Sequence, residues 1–378
     1  MVDTAQPLLH APADPAAALP LLIEQDVPLA PLSTLGVGGS ARYFTRARTR
    51  DDVRLAARWA QDGDLPLFPL GDGSNVVFGD QGFPGLVLKL ELGGIEWRHD
   101  GTRAYVTAAA GEPWDDVVAQ AVARKCAGIE CLSGIPGRVG AAPIQNIGAY
   151  GQDLAARLVS VDALDCATLS DATLDRQACR LGYRSSVFKA NDQGRQLIVL
   201  GITLDLEPGG TPCLVYDELA AAVRERMHTN PQLSDVRAAV LELRRGKSML
   251  NDPDDPCSRS VGSFFVNPIL TTEEQARAEA HARRSGALVA TEGLRAIALP
   301  DGSLKIPAAW LIERAGFRRG ERRGRVGLSE KHALALVNYG GATALEVLGL
   351  AREIADKVRA RFGIQLFPEP VLVSCTLD

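Results

Sequence analysis

A glycine- and proline-rich run between Ser133 and Gly151 constrains the fold of this 378-residue chain more than any other segment. It reads SGIPGRVGAAPIQNIGAYG and carries one charge, on Arg138. The run is too apolar for a solvated linker and too interrupted by glycine and proline for a helix. Because glycine lets backbone N–H groups approach a ligand closely, the run predicts a loop that cradles a phosphate or a planar ring system.

A second glycine turn lies earlier in the chain, where Leu70–Phe78 reads LGDGSNVVF after a predicted strand. Taken alone, this turn fits a phosphate-binding loop and an ordinary hairpin equally well. Two such loops in one region favour a long, dinucleotide-like ligand. The sequence GVGGSA at 36–41 also fits the dinucleotide fingerprint, but no buried strand precedes it and no helix opens on it, so a Rossmann site is disfavoured.

Composition indicates a globular enzyme of two or more domains. The 41 Lys+Arg against 46 Asp+Glu give a net charge of −5, and no basic stripe is interleaved with aromatic residues, which disfavours nucleic-acid binding. The one basic cluster, Arg318–Arg325, is interpreted first as a solvated loop and second as a contact for an anionic ligand.

Cysteine and histidine usage disfavours disulfides and metal sites. The seven cysteines include no Cys-x-x-Cys pair, and none of the five histidines forms a pair at helical spacing. The N-terminus lacks the features of a signal peptide, and no apolar window has the length of a membrane span. We therefore expect a cytoplasmic enzyme with no metal.

Periodicity divides the chain near residue 208. Before it we predict strands over 65–70, 86–90, 104–109 and 196–206, and helices over 50–62, capped by Thr49, and 113–126. After it we predict helices over 217–227, 234–245, 271–284 and 343–362, and a final strand over 364–374 that contains Pro-Glu-Pro. The prolines place that strand at a sheet edge, or at a strand end.

Three residues outside the glycine loops have polar or charged side chains that could take part in catalysis. Arg184, in GYRSSVFK, can clamp a carboxylate with two hydrogen bonds, although a surface salt bridge is the simpler interpretation. Ser263, in GSFFVNP, can hold its hydroxyl in a dry pocket or lie incidentally in a buried strand, and Glu369 can lie in a solvated turn. The absence of a Gly-x-Ser-x-Gly elbow and of a Walker A sequence disfavours hydrolysis and phosphoryl transfer.

Taken together and in this order, five segments closely resemble the UDP-N-acetylenolpyruvoylglucosamine reductase (MurB) family: LGDGSNVVF, IPGRVGAAPIQNIGAYG, GYRSSVFK, GSFFVNP and PEP. The resemblance implies the α+β class, with a PCMH-type FAD-binding domain of two α/β subdomains and a smaller α+β substrate-binding domain. With the periodicity, it predicts a loosely ordered lead at 1–30, an FAD-binding domain at 31–210, a substrate-binding domain at 211–363 and a C-terminal active-site strand at 364–378.

The activity that the resemblance implies belongs to bacterial peptidoglycan precursor synthesis. NADPH reduces a noncovalently bound FAD, and the hydride then passes to UDP-N-acetylglucosamine enolpyruvate to give UDP-N-acetylmuramate. Neither glycine loop contains a Cys or His that could attach a flavin covalently. No nucleic acid, membrane or obligate protein partner is expected. Two alternatives stay open: an FAD-dependent alcohol or lactone oxidase on the same fold, and a flavin-binding regulatory protein without turnover.

The resemblance also assigns residue roles. It makes Ser263 the proton donor and lets Arg184 and Glu369 stabilise the enolate-like intermediate. Substrate contacts fall on Tyr183, Tyr216, Lys247, Asn267 and His332, with Tyr216 on a mobile lid. Where many relatives have an arginine shortly after the glutamate, this chain has Pro370, Val371 and Leu372, and His332 stands where some relatives have glutamine. The residues expected to contact FAD are Leu70, Gly71, Asp72, Gly73, Ser74, Asn75, Ser133, Ile135, Pro136, Gly137, Gly140, Ala141, Gln145, Asn146, Gly148, Ala149, Tyr150 and Gly151.

Overall fold

The structure, a computed structural model, describes residues 21–189, 196–226 and 230–377. Residues 1–20 of the expected N-terminal lead lie outside the described residues. The rest of that lead differs from the expectation, since Glu24–Pro28 forms a strand and Leu29 is fully buried. The Leu22 carbonyl also accepts a hydrogen bond of 2.7 Å from the Thr45 hydroxyl.

The described residues form seven α-helices and twenty short strands, which fits the predicted α+β class. The helices are α1 (Arg50–Asp62), α2 (Trp114–Ala123), α3 (Asp217–Arg226), α4 (Leu233–Gly246), α5 (Thr272–Arg284), α6 (Ala308–Arg314) and α7 (Ala344–Phe362). The strands are β1 (Glu24–Pro28), β2 (Ser40–Ala47), β3 (Leu67–Leu70), β4 (Val76–Phe78), β5 (Phe83–Leu90), β6 (Ile95–His99), β7 (Ala104–Ala109), β8 (Cys126–Ala127), β9 (Gly148–Ala149), β10 (Gln152–Asp153), β11 (Leu158–Asp165), β12 (Ser170–Asp175), β13 (Leu197–Pro208), β14 (Ile269–Leu270), β15 (Ile297–Ala298), β16 (Leu304–Lys305), β17 (Arg322–Arg323), β18 (Val326–Leu328), β19 (Leu336–Asn338) and β20 (Val371–Val373).

The six predicted helices begin within one residue of their predicted starts, whereas α6 was not predicted. Thr49 and Asp52 form a reciprocal capping box at the start of α1, and Thr343 and Glu346 form another at the start of α7. A capping box satisfies backbone N–H groups that the first turn of a helix leaves without partners. The segment 36–41 leads into β2 and not into a helix, which confirms that its glycine pattern is not a Rossmann site.

The chain divides into two compact units. The first comprises the described residues up to Val27, together with Ala41–Asp72 and Phe83–Leu250. It contains a four-stranded sheet in the order β1-β2-β5-β3, in which β5 pairs in parallel with β2 and β3. It also contains an antiparallel six-stranded sheet in the order β12-β11-β13-β7-β6, with β8 paired to β13. The buried alanine face of α1 packs with β5 in the core.

The helices α3 and α4 belong to this first unit, which ends after Leu250. The expected division at 210/211 into an FAD-binding and a substrate-binding domain stays a prediction. The two helices join the first unit through a shared core in which Leu219 and Val223 of α3 and Val236 of α4 pack with Cys131. An ion pair of 2.6 Å between Arg237 of α4 and Asp115 of α2 adds a polar link. Helical periodicity identifies the apolar faces of α3 and α4, but it does not indicate which sheet or helix those faces pack against.

The second unit comprises Pro28–Ser40, Gly73–Gly82 and the described residues from Asn251 onward. Its sheets are small: antiparallel β14-β16-β15 and β17-β18-β19, and a parallel pair of β4 with β20. The helix α7 buries Val347, Ala351, Ile354 and Val358 in the core, as its periodicity predicts. The expected final strand is shorter than predicted, because only Val371–Val373 pair, directly after the Pro-Glu-Pro segment.

Candidate active-site residues

Two of the glycine loops meet in the first unit. Asp72, in the first loop, accepts a hydrogen bond of 2.7 Å from Nε of Arg138, in the second. Arg138 also donates to the Gly111 carbonyl at 2.8 Å. Lys89 approaches the same carboxylate at 3.4 Å and donates to the Gly71 carbonyl, and burial lowers the pKa of this lysine. The ion pairs fix the two loops side by side.

Backbone groups in these loops are available for a ligand. The N–H groups of Gly71, Ile135 and Gly137 donate to no acceptor within the part of the chain that the structure describes. All three residues are half-buried. N–H groups that the fold leaves unused, on neighbouring loops with little side-chain bulk, suit the diphosphate of a dinucleotide. The residues present therefore fit the FAD that the sequence predicts.

Polar side chains of the second loop form hydrogen bonds that stabilise the conformation of the loop itself. The buried Ser133 hydroxyl donates to the Glu130 carbonyl at 2.6 Å. The Asn146 amide accepts from the Ala155 N–H at 2.9 Å and donates to the Gly182 carbonyl at 3.2 Å. Gln145, Tyr150 and the glycines and alanines at 148–151 are half-buried or exposed. The structure gives the positions of these residues. The FAD contacts that the resemblance assigns to them stay predictions.

Arg184 lies in a tight turn that is attached to the same loop. An isolated antiparallel bridge joins Gly182 and Ser185, and Arg184 adopts a φ of 53°, which is uncommon for a residue with a side chain. The Ser186 hydroxyl donates to the Ile144 carbonyl at 2.6 Å. The Arg184 guanidinium lies 5.8 Å from the ring centroid of Tyr183, which is 43% exposed. Backbone strain held by surrounding bonds is typical of residues that a site positions.

Two tyrosines and a lysine form a cluster at the end of the second loop. The rings of Tyr150 and Tyr216 meet edge to face with centroids 5.5 Å apart. The Lys247 ammonium lies 5.7 Å from the Tyr150 ring centroid and 2.7 Å from the Glu218 carboxylate. Burial raises the pKa of Tyr150 to about 12. Two of the predicted substrate residues, Tyr216 and Lys247, are thus brought together with Tyr150.

Gly151 brings the end of the second loop close to the segment that carries Tyr216. Its φ is 88°, and a Cβ at this position would lie 2.4 Å from Cγ2 of Val215, the neighbour of Tyr216. A side chain at 151 would therefore displace the exposed Val215 side chain and would be strained at this φ.

Ser263 and Glu369 lie on neighbouring backbone segments in the second unit. The N–H of Phe264 donates to the Leu334 carbonyl at 2.8 Å, and the N–H of Glu369 donates to the Phe264 carbonyl at 2.8 Å. Glu369 is 8% exposed. The Ser263 side chain is half-buried, and its hydroxyl bonds to no residue of the described ranges. Ser263 forms an isolated bridge with Ala335 and not the buried strand that the sequence allows, and the fully buried Phe264 and Phe265 follow it directly.

The second half of the first glycine loop lies beside Glu369. The Asn75 amide donates to the Glu369 carbonyl at 3.4 Å, and the Asn75 carbonyl accepts from the Val371 N–H at 3.0 Å. The parallel pairing of β4 with β20 continues this contact. Ser74 and Gly73 precede Asn75 in the same unit. Pro-Glu-Pro therefore ends at the start of a short strand, as its prolines suggest.

The remaining two substrate candidates, also in the second unit, have structural contacts. The Asn267 side-chain oxygen accepts a hydrogen bond of 2.9 Å from the Ala308 N–H at the start of α6. The His332 carbonyl accepts a bond of 3.1 Å from the Ala335 N–H, and Ala335 forms an isolated bridge with Ser263. His332 thus lies in a turn next to the proposed proton donor.

The Arg318–Arg325 cluster contacts acidic side chains. Arg319 pairs with Glu313 at 2.7 Å and Arg323 with Glu321 at 2.5 Å, while the Arg322 guanidinium lies 3.7 Å from the Tyr339 ring centroid. These contacts favour the interpretation as a solvated loop. Within 21–189, 196–226 and 230–377, no group of three or more His, Cys, Asp and Glu side chains could hold a metal ion. No described helix is long and apolar enough to cross a membrane.

One candidate was not predicted from the sequence. Glu130, directly before the second loop, is 1% exposed, and its carboxylate accepts hydrogen bonds from three separate positions. The available signal was a lone acid in the apolar stretch AGIECLSG. Such a residue is either exposed or fully hydrogen-bonded, and the sequence alone does not decide between the two.

Comparison with known proteins gives two family matches. The FAD binding domain model matches residues 41–168, and the model of the UDP-N-acetylenolpyruvoylglucosamine reductase C-terminal domain matches residues 252–373. The first match confirms the PCMH-type FAD-binding fold. The second match begins next to the boundary between the two units.

Relatives extend the likeness over most of the chain. UDP-N-acetylenolpyruvoylglucosamine reductase of Thermobifida fusca is 43% identical over 357 residues, 93% of this chain and 98% of the relative. That of Saccharopolyspora erythraea is 44% identical over 355 residues, 92% of this chain and 95% of the relative. The solved MurB structure from Thermus caldophilus shares the fold, with a TM-score of 0.63 and 24% identity over 93% of this chain and 99% of that one. The chain belongs to the UDP-N-acetylenolpyruvoylglucosamine reductase (MurB) family.

Proposed function

We propose that this chain catalyses the NADPH-dependent, FAD-mediated reduction of UDP-N-acetylglucosamine enolpyruvate to UDP-N-acetylmuramate, a step of peptidoglycan precursor synthesis. The observation that carries the proposal is the 43% identity to a named reductase over nearly the full length of both chains. The motifs with Arg184, Ser263 and Glu369 lie within the matched length. Bound FAD supplies the hydride transfer from NADPH to the enol ether.

The two glycine loops supply the cofactor contacts. The unused N–H groups of Gly71, Ile135 and Gly137, together with Ser74 and Asn75 further along the first loop, are the candidates for holding FAD. The pairing of Asp72 with Arg138 holds the two loops in place. Binding is noncovalent, because neither loop offers a sulfur or imidazole for attachment.

Ser263 is the proposed proton donor at the carbon next to the substrate carboxylate. A serine hydroxyl is a weak acid in water, yet a positioned hydroxyl can deliver its proton where negative charge develops and recover it from a local donor. The hydroxyl of Ser263 has no hydrogen-bond partner in the described ranges, so it is available to a substrate. The buried Phe264 and Phe265 fix the backbone that carries it.

Arg184 and Glu369 are proposed to stabilise the negative charge that hydride addition places on the carboxylate side of the enol ether. A preorganised guanidinium does so without reorganisation in the transition state. Glu369 must contribute as a hydrogen-bond donor, because an ionised carboxylate would repel that charge.

The substrate residues divide between the units. Tyr183, Tyr216 and Lys247 lie in the first, and Asn267 and His332 lie in the second. Lys247 is the proposed partner of the diphosphate, as a compact positive charge. We assign FAD binding to the two glycine loops and substrate binding to these five residues. We further propose that the protein acts in the cytoplasm and without an obligate protein partner.

The two alternative functions are not favoured. An alcohol or lactone oxidase on the same cofactor fold would not account for the match of residues 252–373 to the reductase C-terminal domain. A regulatory protein without turnover would not need Ser263, Arg184 and Glu369 in their family contexts.

The test is a turnover assay on the purified protein with FAD. NADPH consumption should begin on addition of UDP-N-acetylglucosamine enolpyruvate, and mass spectrometry should identify UDP-N-acetylmuramate. A yellow protein that binds FAD but consumes no NADPH with this substrate would refute the proposal.

A further inference from the structure

The buried carboxylate of Glu130 joins three parts of the first unit. One oxygen, Oε2, accepts from the Gly128 N–H at 2.8 Å. The other, Oε1, accepts from Nε2 of Gln152 at 3.0 Å and from the Cys213 N–H at 2.8 Å. All three donors are neutral, and Glu130 is 1% exposed. Burial of a carboxylate is costly unless hydrogen bonds replace its water, so these bonds hold its geometry tightly.

The joined segments are the two ends of the second glycine loop and the segment that carries Tyr216. The Glu130 carbonyl accepts from Ser133 at the start of the loop, and Gln152 follows the end of the loop. The Cys213 backbone is held twice, because its carbonyl also accepts a 3.4 Å bond from the Cys131 thiol. Cys213 precedes Tyr216 by three positions. The network lies wholly within one compact unit.

Both carboxylate oxygens are needed as acceptors. The Glu130 oxygens face N–H donors on either side, and the Gln152 amide is oriented by a further bond of 2.8 Å from the Cys131 N–H to its oxygen. A glutamine at 130 would turn an NH₂ group toward one of these donors, which leaves at least one buried N–H without an acceptor.

We infer that Glu130 is a positioning residue that couples the cofactor loop to the Tyr216 segment. Its hydrogen bond fixes the position of the Cys213 backbone relative to the end of the glycine loop. It thereby positions Tyr216, whose ring contacts Tyr150 there. This inference rests on the proposed function for its kinetic consequence, because Tyr216 acts there as a substrate contact. The structural link itself does not depend on the identity of the substrate.

The test compares Glu130→Gln with the wild type and with Glu207→Gln, both loaded with FAD. Glu207 is a matched control, because it pairs with Arg157 at 2.9 Å, has a side chain 43% exposed and lies on the strand before the same segment. In Glu130→Gln, backbone amides at 211–217 should exchange hydrogen faster without any substrate. KM for the enolpyruvyl substrate should rise about tenfold, which corresponds to about 1.4 kcal/mol. The rate of flavin reduction by NADPH should stay within about twofold, since that step does not use Tyr216.

A milder variant keeps the inference testable if Glu130→Gln does not fold. Gln152→Met removes one donor and leaves two, so a smaller rise in KM and in exchange at 211–217 is expected. Unchanged hydrogen exchange and unchanged KM in the folded variants would overturn the inference. A fall in the rate of flavin reduction as large as the rise in KM would also overturn it. A wild type without turnover would refute the proposed function, while the exchange at 211–217 would still decide the structural link.

Discussion

The backbone N–H of Glu369 donates a 2.8 Å hydrogen bond to the carbonyl of Phe264, the residue after Ser263. The proposed proton donor and the proposed charge stabiliser thus lie on adjacent hydrogen-bonded segments. The buried side chains of Phe264 and Phe265 hold the backbone next to Ser263 in place more firmly than a surface loop would.

Replacement of Ser263 by alanine should separate the two halves of the reaction. Flavin reduction by NADPH should persist at the wild-type rate, while oxidation of the reduced flavin by the enolpyruvyl substrate slows by about 10²–10⁴-fold, the range for a lost general acid. Rapid-mixing absorbance of the flavin measures both. Ser303→Ala, in a turn where the hydroxyl bonds to Asp301, is the matched control. An equal slowing of both half-reactions would contradict the proton-donor role.

Arg138→Met should weaken FAD binding. The variant loses the 2.7 Å pair with Asp72 and the bond to the Gly111 carbonyl, so the two glycine loops are no longer held together. We expect the dissociation constant of FAD to rise about tenfold, from the loss of about 1–2 kcal/mol of charge-assisted bonding. Equilibrium titration followed by flavin fluorescence measures it. Arg50→Met, which removes a pair with Asp162, should leave FAD affinity unchanged. Equal affinities in all three proteins would argue against the loop pairing as a cofactor feature.

Glu218→Gln should tighten binding of the anionic substrate. The Glu218 carboxylate forms an ion pair of 2.7 Å with the Lys247 ammonium and would repel a diphosphate. Replacing Glu218 with a neutral glutamine removes both effects and leaves the lysine charge for the substrate. Because both side chains are partly exposed, the gain is about 0.5–1 kcal/mol, a two- to fivefold fall in KM at low salt that shrinks as ionic strength screens the charges. Steady-state kinetics at two salt concentrations measure it. A rise in KM would show that the pair positions Lys247 and does not compete for it.

Asp115→Asn should reduce stability in a pH-dependent way. Burial of Asp115 opposes its ionisation, but hydrogen bonds from Arg237 and the Gly134 N–H outweigh it and lower the pKa of this carboxyl. The lowered pKa means that the stabilisation is fully present above the unfolded value of about 4 and is lost as pH falls through the folded value. At pH 7 the variant should lose about 1 kcal/mol of unfolding free energy, since partial exposure screens the pair.

Urea unfolding at neutral pH and at about pH 3 tests this dependence. The difference in the free energy of unfolding between the wild type and Asp115→Asn should be smaller at the lower pH. Asp116→Asn, at the exposed neighbouring position, should show little difference at either pH. If this difference in the free energy of unfolding does not change with pH, the ionised state of Asp115 does not contribute to stability.

Secondary structure was predictable where local signals carry it. The cap at Thr49 fixed the start of α1, periodicity fixed the start of α7 to within a residue, and β7 over Ala104–Ala109 matches its predicted bounds. The strand β2 was missed, although its residues alternate between exposed and buried over much of its length, because arginines and aromatic residues obscured the pattern. The strands β11 and β12 were missed because aspartates interrupt their apolar residues.

The chemistry of the site was predictable from motifs, and its arrangement was not. The two glycine loops and the residues Arg184, Ser263 and Glu369 stood out by composition and by resemblance. The pairing of Asp72 with Arg138 and the three bonds of Glu130 join residues far apart in sequence. Such contacts depend on the packed fold, as does the position of α3 and α4 in the first unit.

The pairing of β4 with β20 has a consequence for biosynthesis. Asn75 and Glu369 are 294 positions apart, so β4 leaves the ribosome long before its partner exists. Until translation is nearly complete, a short apolar strand keeps an open edge, a feature that favours association with other chains. Contacts between such distant residues also slow folding. A nascent chain that ends before Val371 therefore cannot complete its second unit, and premature termination should yield a species that depends on chaperones or is degraded.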